Sequence, residues 1–170
     1  MSTNRKATGA QRRAQSGIQN NLFETSMVPI VSTRLVCERE APWPRTQVCS
    51  PEDVACFFRT YFSDRCNEEF WVVLLSTANT VISLSQISTG GLAASIVEPR
   101  SVFRAAILAN AAAIICLHNH PSGNGEPSRE DVRITQQLVE AGRLMGVPVH
   151  DHLVITHEGY TSLAERGLMS

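Results

Sequence analysis

The feature that most constrains this 170-residue chain is an uncharged apolar run, Ala111 to Leu117, that breaks abruptly into His118-Asn119-His120-Pro121-Ser122-Gly123. A short apolar run closed by Pro and Gly predicts a strand buried on both faces, so the fold must supply a layer on each side of it. Side chains alternate along a strand, which sends His118 and His120 to the same side just where the strand ends. Pro121 stops the strand, and Ser122-Gly123-Asn124-Gly125 turns the chain toward Ser128, a predicted helix N-cap with Asp131 in the first turn behind it. That turn brings a carboxylate back toward the two imidazoles. On its own Ser-x-x-Asp is an ordinary capping box, and a single His near a strand end is usually structural. The joint pattern instead reads as a metal site with ligands His118, His120 and Asp131. A zinc ion with three protein ligands keeps its fourth position for water, the arrangement of a catalytic site, although these donors also accept other divalent ions.

At these residues the chain resembles the JAB/MPN (JAMM) metalloprotease superfamily, whose pattern is His-x-His, seven residues, then Ser-x-x-Asp, with a Glu far upstream. It is more closely similar to the RadC branch. The shared features are His118-Asn119-His120-Pro121-Ser122-Gly123, Pro127-Ser128 with Asp131, Pro99-Arg100 before a helix, and Asp151-His152 after the next helix. The resemblance covers roughly residues 28 to 165. It implies an α/β (α+β), cytidine-deaminase-like JAB/MPN fold, a curved mixed β-sheet flanked by helices. It also implies a zinc-dependent hydrolase that cleaves a peptide or isopeptide bond, with Zn2+ on His118, His120 and Asp131.

Hydrolysis at such a site needs a group to carry the proton of the attacking water, and a carboxylate usually does so. The upstream Glu of the superfamily falls on Glu68-Glu69-Phe70. Adjacent strand residues face opposite sides, so only one of the two acids faces the metal. The Glu-x-Phe pattern of the RadC branch selects Glu68. Ser128 is assigned by the resemblance to hydrogen bonding near the attacking water or the developing oxyanion. The chain departs from the branch at Ser76, where an Asp is expected, and at Gly91, where a Thr is expected; neither touches the ligands. The helix-hairpin-helix region of longer members has no counterpart in this sequence, so a short form is expected and any link to DNA repair is weaker than the chemistry of the site.

With 43% hydrophobic and 18% charged residues the chain can bury one sizeable core. Its formal net charge of -1 gives no global basic field, so nucleic-acid binding would need a local patch. The five cysteines are odd in number and form no Cys-x-x-Cys pair, which argues against a disulfide framework and against a zinc nucleobase deaminase. Cys116, inside the buried run, is expected to pack as a small hydrophobe. No stretch reaches the ~20 apolar residues of a membrane span and no signal peptide opens the chain, so a cytoplasmic protein is expected.

Residues 1–26 read as a disordered basic arm and 28–170 as the metalloprotease-like domain. The arm suits nucleic acid or an acidic partner, although such tails are more often simply solvated. A strand is expected over Val28 to Val36, a helix from Pro51 after Ser50, a hairpin of Phe70 to Leu75 with Val81 to Ile87, and an extended segment over Leu92 to Val97. A helix from Pro99, the metal-loop strand, a helix from Ser128 to Gly146, strand segments around His150 to His152, and a short final helix at Ser162 to Glu165 complete the reading. His150-Asp151-His152 is the rival metal constellation, lacking a following Ser-x-x-Asp. Arg100, Asn119, Ser122 and Gly123 are expected to shape the substrate groove, with an ion pair as the other reading of Arg100. The rival function is a DNA-associated accessory or scaffolding domain with little turnover. The expected partner is a peptide or protein substrate; the sequence leaves the oligomeric state open.

Overall fold

The computed structural model describes residues 28–43, 47–90 and 97–170; the expected basic arm, and all of the expected segment at 92–97 but Val97, lie outside the described residues. Helix α1 spans Pro51–Phe62, β1 Glu69–Leu75, β2 Val81–Thr89, α2 Pro99–Leu108, β3 Ala113–Asn119, α3 Arg129–Met145, β4 Val149–Ile155 and β5 Tyr160–Ser162. The five strands form one mixed sheet in the order β2-β1-β3-β4-β5. Strand β1 runs antiparallel to both β2 and β3, β3 and β4 are parallel, and β5 is antiparallel to β4. The single parallel pair needs a crossover, and α3 supplies it.

Every residue of β1 and β3 is buried, as a strand covered on both faces requires. Alternation divides them between two cores. Phe70, Val72, Leu74, Ile114 and Cys116 pack against Val102, Phe103 and Ala106 of α2 and Ile134 and Leu138 of α3. Trp71, Val73, Leu75, Ile115 and Leu117 pack on the other face against Val54, Ala55, Phe58 and Phe62 of α1. Each such side chain, fully buried, contributes roughly 1.5–3 kcal/mol. The sheet therefore lies between α1 and the α2/α3 pair, and the end of β3 opens where these layers stop.

Two expectations fail. Residues 28–36 form no strand and are exposed throughout; a β-branched run that buries none of its side chains gains nothing from a pleated backbone. The final helix is replaced by β5 and a turn: Ser162 ends the strand, and its hydroxyl donates to Asp151 Oδ2 at 2.6 Å. Asp151 also accepts from the Ala164 amide at 3.0 Å, so the segment is bound to β4 rather than coiled on itself.

Candidate metal centre

Strand β3 ends at Asn119, and its alternation puts His118 on the α2/α3 face. Phe70 of β1 sits opposite His118 in the sheet register and stacks beside it, ring planes 5° apart. His120 follows just past the strand on the same side, its amide donating to the Ile155 carbonyl at 2.9 Å. Gly123 turns the loop with a φ of +81°, a left-handed conformation that calls for glycine. Ser128 then caps α3. Its Oγ accepts from the Asp131 amide at 3.1 Å, and its own amide donates to Asp131 Oδ2 at 2.6 Å. This reciprocal capping box turns the Asp131 carboxylate inward.

The three expected ligands converge. His118 Nε2 and His120 Nε2 lie 3.0 Å apart, His118 Nε2 is 3.5 Å from Asp131 Oδ1, and His120 Nε2 is 3.6 Å from Asp131 Oδ2. One ligand atom from each lies within 4.8 Å of the others, so the trio can hold a single metal ion. Two details make the donor set fit a cation. Asp131 Oδ1 is buried with no hydrogen-bond partner, an arrangement that costs free energy unless something positive satisfies it. His120 Nδ1 lies 2.6 Å from the Asn124 carbonyl, which only accepts; the Nδ1 proton is committed there, and the neutral ring offers Nε2 as a lone pair.

Electrostatics follow from the same contacts. Burial opposes charge on Asp131, but His118 and His120 in their protonated forms, together with Ser128, outweigh it and hold the carboxyl below the usual carboxylate range. Burial also lowers the proton affinity of His118, against the opposing pull of Asp131, and lowers that of His152 further. Contact with Asp131 raises His120. A neutral imidazole and an ionised carboxylate are the forms that bind metal.

Glu68, His120, Ser122, Asn124, Ser128 and Asp131 border an open groove of about 510 Å³. A larger hollow of about 1600 Å³ along edge strand β2 shares no lining residue with it. Of the Glu68-Glu69 pair, Glu68 is on the groove side, near enough that its charge favours protonation of both His118 and His120. Glu69 turns to the opposite face, where its Oε2 accepts from Trp71 Nε1 at 2.9 Å and Gln86 Nε2 at 3.0 Å. Ser128 borders the groove while capping the helix.

The rival constellation does not assemble: His150 is exposed and Asp151 serves the terminal turn, while His152 is fully buried against His118. Arg100 pairs with Glu98 at the start of α2, away from the groove residues. Asn119, expected in the groove, is buried on the other side of β3, where it accepts from the Glu69 amide at 2.7 Å and donates to the Asn67 carbonyl at 3.0 Å. Sequence reasoning missed this brace on the Glu68 segment; the only local signal is a polar residue interrupting an apolar alternation.

The sequence profile described as "RadC-like JAB domain" matches residues 48–168. A UPF0758 protein of Salinibacter ruber is 59% identical over 125 residues, covering 74% of this chain and 54% of that protein. A UPF0758 protein of Symbiobacterium thermophilum is 48% identical over 130 residues (76% and 56%), and one of Methanosarcina acetivorans 40% identical over 126 residues (74% and 55%). The chain thus spans about half the length of these curated relatives. With the matched region running from before α1 to past β5 and containing the whole His118, His120 and Asp131 cluster, the chain belongs to the RadC-like JAB domain family.

Proposed function

We propose that this chain is a zinc-dependent hydrolase that cleaves a peptide or isopeptide bond. The observation that carries the reading is the convergence of two imidazole Nε2 atoms and the partnerless Asp131 Oδ1 beneath a groove bordered by Glu68. His118, His120 and Asp131 would hold the metal, whose chemistry when bound is to polarise a carbonyl and lower the pKa of water. Glu68 takes the proton of the attacking water and returns it to the leaving amine, a task that suits a carboxylate open to the groove. Ser128, which borders the groove, would hydrogen-bond near the position where negative charge develops on the carbonyl oxygen. The layer of Phe70, α2 and α3 behind the imidazoles keeps solvent off the ligand side. An extended peptide is the substrate form that an open groove admits.

The test is metal content by elemental analysis together with a peptidase and isopeptidase screen. Wild type should hold about one zinc per chain, as the single three-residue donor set among the described residues requires. His118→Ala, His120→Ala and Asp131→Ala should each lose it. Glu68→Gln should retain the metal and lose turnover. Zinc retained in all three ligand variants, or an undiminished rate in Glu68→Gln, would overturn the proposal.

A further inference from the structure

His152 and Thr135 lie outside the ligand set, yet both are buried and joined to it in an unbroken series of contacts. We propose that Thr135 and His152 are positioning residues that fix the tautomer of His118, so that its Nε2 faces the metal as a bare lone pair. This rests on the reading of His118 as a ligand. The Thr135 hydroxyl has one proton, and its Oγ1 lies 2.6 Å from the Asp131 backbone carbonyl, which can only accept. Thr135 therefore donates there. Its Oγ1 also lies 2.5 Å from His152 Nδ1; with its proton committed, it accepts, so His152 carries its proton on Nδ1. His152 Nε2 is then an acceptor. It lies 2.8 Å from His118 Nδ1, which must supply the proton, and His118 Nε2 is left unprotonated 3.5 Å from Asp131 Oδ1.

The reverse direction fails on the same distances. A Thr135 hydroxyl turned toward His152 would leave two oxygens 2.6 Å apart with no proton between them. It would also place a proton on His118 Nε2, in the way of a cation. Water cannot rescue that arrangement, since Thr135 is 1% exposed and both imidazoles are 0% exposed. The series begins and ends at Asp131. Its backbone carbonyl sets the hydroxyl, the hydroxyl sets His152, His152 sets His118, and His118 Nε2 returns to the Asp131 carboxylate. One turn of α3 thus holds one ligand directly and orients another through two intermediates. This assigns a part to the Asp151-His152 pair: Asp151 anchors the terminal turn, and His152 serves the ligand.

Two measurements test this. On the chelator-stripped full chain with nitrogen-15-labelled histidine, long-range proton–nitrogen correlation spectra read each ring's tautomer directly. His118 and His152 should both carry the proton on Nδ1; a proton on His118 Nε2 would overturn the proposal. Competition with a chromophoric zinc chelator then measures affinity. Thr135→Val, which removes the acceptor while keeping the shape, should weaken zinc binding about 10–100-fold, and Thr135→Ser should stay near wild type. Equal affinity in Thr135→Val and wild type would also overturn it. Because the tautomers are read without metal in the unaltered chain, this inference stands if no peptide is cleaved, and a valine variant that fails to fold leaves the spectroscopic test decisive.

Discussion

The Asn119 amide accepts from the Glu69 backbone and donates to the Asn67 carbonyl, so the residue between them, Glu68, is braced on both sides. Replacing Asn119 by Ala leaves the buried Glu69 N–H without its partner, at a cost of about 1–3 kcal/mol, and frees the carbonyl of the exposed Asn67. The segment should shift to find new partners and carry Glu68 with it. Misplacement of a reacting group by about 1 Å can lower a rate on the order of 100-fold. We therefore expect Asn119→Ala to leave zinc binding unchanged but to lower kcat with little change in KM. Steady-state kinetics beside elemental analysis would show this, and an unchanged kcat would remove Asn119 from the positioning of Glu68. The contrast with its neighbours explains what the sequence makes legible. His118, His120 and Asp131 can be placed from local rules, namely strand alternation, a proline stop and a capping box. Asn119 meets its partner 50 residues away, and Thr135 meets His152 across 17. Such meetings depend on the pairing of β1, β3 and β4, which no local pattern specifies.

Helix α3 carries Asp131 at one end and is fixed at the other by packing that leaves no room for a side chain. A Cβ on Gly142 would lie 2.6 Å from the Val147 carbonyl oxygen and 3.1 Å from Phe103 Cζ. Alanine raises helix propensity by about 1 kcal/mol over glycine, so in an open helix Gly142→Ala would stabilise. Here the obstacle is backbone, and overpacking costs typically 1–3 kcal/mol. The expected outcome is a net loss of about 1 kcal/mol, seen as a lower urea midpoint at unchanged slope; a raised midpoint would mean that the turn after α3 yields. Elements with their own stop signals, such as α1 after Ser50-Pro51 and α3 before Gly146, lie where their caps put them. Those lacking such signals do not. The β-branched run at 28–36 stays exposed, and Ser162, a plausible helix start by composition, is taken by the distant Asp151.

The whole domain is organised about β3, which contributes to the cores on both faces of the sheet and ends at the candidate metal ligands. Cys116 in the middle of that strand reports on this arrangement. It is fully buried, and burial, aided by the nearby Asp151 charge, pushes its thiol well above the usual range, whereas Cys37, Cys49, Cys56 and Cys66 are exposed. Only a thiolate reacts at an appreciable rate. A thiol reagent should therefore modify the four exposed cysteines at once and reach Cys116 only when β3 leaves the sheet. Both cores share that strand, so there is no small opening that would expose it, and its labelling should require the free energy of global unfolding. The rate should then rise with urea with the slope of the equilibrium transition. Zinc at 1,000 times its dissociation constant would add about 4 kcal/mol and slow the labelling of Cys116 accordingly, with no such protection in His118→Ala. A fifth thiol reacting as fast as the others, or a rate independent of urea, would show instead that the end of β3 opens locally and that the ligand strand is separable from the core it runs through.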